Sequence, residues 1–202
     1  SWFPEGRVSF AGTILREADD RPAIRARGEH QSQWRIITRR ELHEMVGAAA
    51  EAMRQAGVVE GDRVVGYLPN IPETIVAMLA ASTLGAIWSS CSPDFGVRGV
   101  LDRFERLEPK LLVCCDGYAY GGKRIDCRPR TAEILESLSK TTASAPQVVM
   151  VPFLDPDATT EVLPDAVRWD DFLQQGEGVP PDLTPAPFGR PHYIMFSSGT
   201  TG

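Results

Sequence analysis

Basic residues are scarce in this sequence. Its 202 residues include 21 Lys and Arg against 27 Asp and Glu, which gives a formal net charge of −6. Only Lys110, Lys123 and Lys140 are lysines. A surface that binds nucleic acid carries a basic patch, and this charge balance argues against one. An anionic small molecule would therefore need donors gathered at one place rather than a general positive field.

The sequence also lacks a metal-binding pattern of cysteines. No C-x-x-C pair occurs, and the three histidines do not form a zinc spacing with the cysteines. Cys114 and Cys115 lie in an apolar run, which predicts buried thiols in a reducing compartment and hence a cytoplasmic protein. The first ten residues contain no basic segment followed by an apolar one, so we expect no signal peptide. The cysteines are Cys91, Cys114, Cys115 and Cys127.

No common hydrolase motif is present. The sequence has no G-x-S-x-G elbow, no H-E-x-x-H motif, no Ser–His–Asp set and no G-x-x-x-x-G-K-[ST] loop. His192 precedes an apolar stretch and is interpreted as structural rather than catalytic. Internal repeats and low-complexity tracts are absent as well. The residues alone therefore assign no catalytic side chain and no metal ligand.

One uncharged stretch, 74–93, is long enough to cross a bilayer, which takes roughly 20 apolar residues. Six serines and threonines interrupt it, and Gly85 divides it. These features predict a buried helix followed by a buried strand instead of a membrane span. The composition, 43% hydrophobic and 24% charged, is that of a soluble globular protein.

Helices and strands are predicted to alternate along the chain. Thr38 and Glu41 form a capping box that starts a helix, and Gly57 ends it. Continuous apolar strands separated by helices indicate an α/β fold with a mostly parallel sheet covered by helices on both faces. After two short strands within 22–37, the predicted strands are 62–68, 85–90, 110–116, 147–153 and 192–196. The later predicted helices are 73–84, one from Pro93 to Pro109, 131–140 and 169–175.

Ligands of such sheets bind beyond the carboxyl ends of the strands. This rule places three loops at one edge of the sheet: 91–96, 116–124 and 197–202. The last of them reads SSGTTG and follows the apolar strand 192–196. Glycines allow close approach of the backbone, and hydroxyls and amide N–H groups together suit an anion such as phosphate. The alternative is an ordinary polar turn, which is the commoner case for a loop after a strand. The candidate phosphate ligands are Ser197, Ser198, Gly199, Thr200, Thr201 and Gly202.

The other two loops are weaker candidates. In 116–126, two glycines precede Lys123 and Arg124, with Tyr118 and Tyr120 close by, which suits a nucleotide that carries a phosphate. An exposed turn with solvated charges is the alternative that the residues favour. In 91–96, Asp94 is either a functional carboxylate or part of the start of a helix.

Several segments resemble one enzyme superfamily. YIMFSSGTTG (193–202) is similar to the phosphate-loop signature of adenylate-forming enzymes, the acyl-CoA synthetase and luciferase superfamily. WFPEGRVSFAGTIL (2–15) and the long stretch 61–113 resemble the branch that activates acetate and acetoacetate. SSCSPDFG (89–96) and GYAYGGKRID (117–126) are most similar to its acetoacetate-activating members. The resemblance covers nearly the whole chain.

The resemblance implies a two-step ligase. A carboxylate attacks the α-phosphorus of Mg²⁺-ATP and gives an acyl-adenylate and pyrophosphate, after which the thiol of CoA displaces AMP. It implies that residues 197–202 grip the ATP phosphates, which agrees with the need for donors around developing phosphoryl charge. It also implies that Lys123, with Arg124 beside it, lies near the 3′-phosphate of CoA.

The resemblance further implies that residues 1–202 are the amino-terminal portion of an AMP-binding domain that ends at the phosphate loop. The acyl pocket and a catalytic lysine would then lie beyond Gly202, and the segment alone is expected to be inactive. We also expect the apolar helix 73–84 and the final strand to lack part of their covering. Two alternatives stay open: another short-chain acyl-CoA synthetase, and a non-catalytic nucleotide-binding module.

Overall fold

The computed structural model describes residues 3–163 and 165–197. Its helices are α1 (Phe10–Ile14), α2 (Arg39–Gln55), α3 (Pro72–Thr83), α4 (Val97–Phe104), α5 (Arg128–Thr141) and α6 (Trp169–Gln174). Its strands are β1 (Arg7–Val8), β2 (Pro22–Ala26), β3 (Arg35–Thr38), β4 (Arg63–Tyr67), β5 (Ile87–Cys91), β6 (Leu111–Cys115), β7 (Gly117–Tyr120), β8 (Lys123–Asp126), β9 (Gln147–Val151), β10 (Val167–Arg168) and β11 (Ala186–Pro187).

Five strands form one sheet in the order β10-β9-β6-β4-β5, and every neighbouring pair in it is parallel. Helices α3, α4 and α5 make the crossovers between β4, β5, β6 and β9, as parallel neighbours require. Antiparallel pairs occur only outside this sheet in the described residues, as β1-β11, β2-β3 and β7-β8. The predicted α/β fold with a mostly parallel sheet is confirmed.

Alternating side chains of each strand enter two separate hydrophobic clusters. Val64 of β4 and Val113 of β6 pack on the face covered by α2, α3 and α6. Val65 and Leu112 pack on the opposite face, under α4 and α5. Both faces of the sheet are covered by apolar side chains. For this reason every residue of β6 is buried and its sequence is an unbroken apolar run.

Helix α2 begins as its sequence predicts. The Thr38 hydroxyl accepts a hydrogen bond from the Glu41 amide at 3.1 Å, and the Glu41 carboxylate accepts one from the Thr38 amide at 2.7 Å. Two amides that the helix leaves unpaired at its start are thus satisfied. Gly57, with a φ of 79°, follows the helix in the left-handed conformation that favours glycine.

The covering of α3 differs from expectation. The side chains of Val76, Ala77 and Leu79 have no exposed surface, since α3 packs against α2, α1 and the sheet. The hydroxyl of Tyr193 contacts the Met78 sulfur at 3.0 Å. The expectation that this helix lacks part of its covering is therefore wrong for most of its length, although Ile75, Met78 and Leu84 are partly exposed. No helix in the described ranges is long and apolar enough to cross a membrane.

The predicted helix start at Pro93 is wrong. Helix α4 begins at Val97, and 92–95 form a turn closed by a 3.1 Å hydrogen bond from the Phe95 amide to the Ser92 carbonyl. The carbonyls of Pro93 and Phe95 accept hydrogen bonds from side chains instead of from a following helical turn. The helix also ends at Phe104, before the predicted end at Pro109.

The predicted strand 192–196 forms only one β-bridge. Tyr193 pairs in parallel with Trp88 through hydrogen bonds of 3.0 Å from Trp88 to His192 and from Ile194 to Trp88. The segment therefore runs beside β5 in the predicted direction, but regular pairing stops at Ile194. In the described part of the chain no strand pairs with the outer side of this segment, so it lacks the second neighbour that an inner strand has.

Residues 117–126, interpreted from the sequence as a loop, form a β-hairpin. Strands β7 and β8 pair in antiparallel register, with Tyr120 opposite Lys123. Gly121 and Gly122 lie between them with φ values of 58° and 75°. Two successive residues with positive φ make a turn whose twist matches that of the flanking strands, and glycine is the residue that adopts it most readily.

Mutation of Leu112 tests the burial of the central strand β6. Its side chain is completely buried in β6, so Leu112→Ala should lower the free energy of unfolding by about 2–5 kcal/mol. Val59 is 62% exposed, and Val59→Ala serves as the control, with an expected change below about 0.5 kcal/mol. The measurement is equilibrium unfolding in urea, and equal losses in both variants would contradict the described core.

Candidate functional site

Three parallel strands bring the candidate loops to one edge of the sheet. Strand β4 lies between β5 and β6, so the residues after Tyr67, Cys91 and Cys115 emerge side by side. The loop 92–96 follows β5, and Asp116 with the β7-β8 hairpin follows β6. Two of the three loops predicted to share this edge therefore do so.

Tyr67 and Arg130 anchor the loop 92–96. The buried Tyr67 hydroxyl lies 3.0 Å from the Pro93 carbonyl and 2.8 Å from the Phe95 carbonyl, and it can donate to either. The Arg130 guanidinium donates to the Pro93 carbonyl at 2.8 Å and to the Tyr67 hydroxyl at 3.3 Å. Burial raises the pKa of Tyr67 to about 12, which keeps the phenol protonated as a donor. The sequence contained no motif for this pair.

Arg103 of α4 joins the loop 92–96 to the end of the described chain. Its guanidinium lies over the Phe95 ring at 4.8 Å and over the Phe196 ring at 5.6 Å. Both distances are within the range of cation–π attraction. Ser197, the first residue of the predicted phosphate loop, therefore follows directly on a side chain that is held beside the loop 92–96. The other predicted ligands, 198–202, lie outside the described residues.

Asp116 organises the loop after β9. Its buried carboxylate accepts hydrogen bonds from three successive backbone amides, those of Phe153, Leu154 and Asp155, at 2.8–2.9 Å. The charge of the carboxylate is thus matched by amide dipoles. The loop pattern of 116–124 does not predict this role for Asp116. An acidic residue directly after a buried strand was the available signal.

The two predicted cations lie on β8. Lys123 and Arg124 are both exposed, and the Arg124 guanidinium donates to the Leu154 carbonyl at 2.8 Å. Tyr120, 74% exposed, is directly opposite Lys123 in the hairpin, whereas Tyr118 is half-buried against the core. The structure therefore places one exposed aromatic residue opposite one exposed cation at the hairpin tip, an arrangement that is compatible with a nucleotide-binding turn and equally with an exposed turn with solvated charges.

The remaining candidates have simpler surroundings. Asp94 is exposed on the loop 92–96. The His192 ring packs against Phe10 with a centroid distance of 4.9 Å, and burial lowers its pKa. All four cysteines are free and buried, as predicted. In the described ranges no group of three or more His, Cys, Asp or Glu side chains is arranged to hold a metal ion.

A match to a protein-family model identifies the family of this chain. The model described as AMP-binding enzyme matches residues 13–202. The chain therefore belongs to the AMP-binding enzyme family. The α/β fold derived above is that of the amino-terminal portion of an adenylate-forming synthetase.

Several relatives of this chain are synthetases. The chain is 44% identical over 202 residues to acetoacetyl-coenzyme A synthetase of Rhizobium meliloti (strain 1021), and 42% identical over 207 residues to acetoacetyl-CoA synthetase of Mus musculus. The solved structure of acetoacetyl-CoA synthetase from Streptomyces lividans matches with a TM-score of 0.87 at 38% identity. Each comparison covers 100% of this chain and 30% of the relative, so the chain spans less than a third of their length.

The Tyr67 anchor predicts a dependence of stability on alkaline pH. A phenol whose pKa is raised by folding, here from 10.0 to about 12, stabilises the fold below pH 10. That contribution is lost as the pH rises from the unfolded pKa toward the folded one. Tyr67→Phe should therefore reduce the fall in the free energy of unfolding across this window. Urea unfolding at stepped pH measures it, with Tyr120→Phe as an exposed control; equal slopes for both variants and the original chain would refute the assignment.

Proposed function

We propose that this chain is the amino-terminal portion, residues 1–202, of the AMP-binding domain of an acid–thiol ligase that converts acetoacetate, ATP and CoA to acetoacetyl-CoA, AMP and pyrophosphate. We call the full-length protein that would contain it the parent. The observation that carries the proposal is the shared edge of the sheet, where Arg103 contacts both Phe196 and Phe95 of the loop 92–96. The choice of acetoacetate as the acid follows the names of the relatives. The segment by itself is proposed to be inactive.

Residues 197–202 are proposed to bind the phosphates of ATP. The Arg103 contact with Phe196 supports this assignment, since it directs the chain toward the carboxyl edge of the sheet. Hydroxyls of Ser and Thr and the N–H groups around Gly199 and Gly202 are suitable donors to phosphate oxygens. ATP is proposed to enter as its Mg²⁺ complex, because the cation neutralises phosphate charge during transfer.

CoA is proposed to bind along the hairpin. The exposed Lys123 and Arg124 offer positive charge for its phosphate, and Tyr120 offers an aromatic face beside Lys123. These three residues stand on a hairpin whose half-buried Tyr118 lies near the loop 92–96. Burial raises the pKa of Tyr118, and the charge of Asp94 on that loop adds a smaller contribution. The two nucleotide sites are thus proposed to share one edge of the sheet.

The proposed reaction balances in two transfers. A carboxylate oxygen of the acid bonds to the α-phosphorus while the bond to pyrophosphate breaks. The CoA sulfur, after losing its proton, then bonds to the acyl carbon while AMP leaves with the bonding electron pair. The role of this segment is to position phosphates and CoA. The free, buried thiols support a reducing location, and we propose the cytoplasm.

ATP–pyrophosphate exchange by the parent tests the activity. With acetate, propionate, butyrate and acetoacetate offered singly, exchange should be fastest with acetoacetate. The double variant Thr200→Ala, Thr201→Ala should lower the exchange rate with acetoacetate by about 100-fold, because two phosphate donors are lost. Fastest exchange with another acid favours a different short-chain synthetase. Absence of exchange with every acid favours the non-catalytic nucleotide-binding alternative. A double variant that exchanges normally would contradict the role of 197–202.

Lys123 tests the CoA site separately. Lys123→Ala in the parent should raise the KM for CoA about tenfold but leave the KM for 3′-dephospho-CoA nearly unchanged, because the lost charge serves the 3′-phosphate. Lys110→Ala, a lysine on the opposite edge of the sheet just before β6, is the matched control. Equal changes for the two thiol substrates would contradict contact with the 3′-phosphate.

A further inference from the structure

At the tip of the β7-β8 hairpin, the two glycines face no described neighbour on the side where a Cβ atom would lie. A Cβ atom added at Gly121 or at Gly122 would meet no heavy atom of the described chain within 4 Å. Strands β7 and β8 have four residues each and form a separate two-stranded sheet. An isolated pair of this size is marginally stable in water. The position of Lys123 at this tip therefore depends on some other anchor.

Glu29 supplies that anchor. One oxygen of its carboxylate accepts the Gly122 amide at 2.7 Å, and the other accepts the Gly121 amide at 3.1 Å. Hydrogen bonds from two successive amides to an ionised carboxylate are stronger than those between neutral groups. The left-handed conformation of both glycines points these amides in a common direction, so one carboxylate can bind them together.

The turn that carries Glu29 is itself held in place. The Gly28 amide donates to the Gln31 side chain at 2.8 Å, and the Gln31 amide donates to the Gly28 carbonyl at 3.0 Å. The His30 ring lies 3.0 Å from the Phe153 carbonyl through Nε2 and packs edge-on against the Phe153 ring. Phe153 is in turn held by Asp116, the residue directly before the hairpin.

These contacts connect the base of the hairpin to its tip through two other segments. Asp116 at the base binds the segment 153–155, and Phe153 of that segment contacts His30 of the turn 28–31. Glu29 on this turn then binds the tip. Arg124 adds a second link from β8 to the same segment, at Leu154. The hairpin is thus fixed at both ends through one set of backbone groups.

We infer that Glu29 is a positioning residue that fixes the hairpin tip so that Lys123 is set for the phosphate of CoA. The inference rests on the proposed function, since it assumes that Lys123 serves CoA. Glu29 does not contact the substrate in this arrangement. Its removal lets the tip move, so the phosphate contact forms less often and the ordering cost falls on binding.

The opposite role is physically distinct. Amides of a glycine turn are themselves an anion site, and Glu29 occupies them. If the carboxylate competed with the phosphate for these amides, its removal would tighten CoA binding. The sign of the change in KM for CoA therefore separates a positioning residue from a competitor.

Hydrogen exchange of the parent tests the anchor without any activity measurement. In Glu29→Ala the amides of 117–126 should exchange about tenfold faster, because two acceptors are lost and the tip opens locally. Glu29→Gln keeps one acceptor oxygen and should give a smaller increase. Glu177→Ala removes the charge of an exposed glutamate on the turn after α6 and should leave exchange in this hairpin unchanged. Unchanged exchange in Glu29→Ala would overturn the inference.

Steady-state kinetics of the same variants test the function of the anchor. Glu29→Ala should raise the KM for CoA about fivefold, with kcat at saturating CoA within about twofold of the original value. The KM for CoA of Glu29→Gln should lie between those of the original protein and Glu29→Ala. The preference for CoA over 3′-dephospho-CoA should decrease from the original protein to Glu29→Gln and then to Glu29→Ala. A lower KM for CoA in Glu29→Ala, or an unchanged one, would overturn the positioning role.

Failure of the inference and failure of the proposed function give different results. If Lys123→Ala raises the KM for CoA and Glu29→Ala does not, the CoA site stands and the positioning role is wrong. If neither variant changes it, the assignment of CoA to this hairpin is wrong, and the positioning role falls with it.

Discussion

Parallel pairing of β4 with both β5 and β6 is the constraint on which the rest of the molecule depends. Parallel neighbours need crossovers, and the helices that make them cover both faces and leave only the ends of the strands open. The carboxyl ends of all three strands consequently meet at one edge, together with the loop 92–96 and the β7-β8 hairpin. Residues separated by more than a hundred positions, such as Phe95 and Phe196, become neighbours there.

Side chains that bind backbone groups determine the shape of this edge. Tyr67 and Arg130 bind carbonyls of the loop 92–96, Asp116 binds three amides after β9, and Glu29 binds the turn of the hairpin. Loops have no ladder of their own, so their polar groups need such partners. Because the partners come from the core or from a seated turn, the loops are held in place before any ligand arrives, which lowers the ordering cost of binding.

Local patterns predicted the sheet and its helices well. The apolar runs of β4 and β6, the capping box at Thr38 and the covered faces were all readable, because each depends on neighbouring residues or on a short period. The error at 192–196 follows from the lack of a second neighbouring strand in the described residues. The error at Pro93 has a different cause. Pro93 looks like a helix start, but its carbonyl binds Tyr67 and Arg130, which lie 26 and 37 positions away. Contacts such as Glu29 with Gly122, 93 positions apart, leave no periodic signal.

The four buried thiols give the folded chain a chemical property of its own. Burial raises the pKa of Cys114 far above its usual range and that of Cys91 to about 11, so neither is a thiolate near neutral pH. The thiolate is the reactive form towards alkylating and oxidising reagents. Alkylation of Cys91 and Cys114 must therefore wait until the sheet opens, and its rate would report how often the central strands come apart.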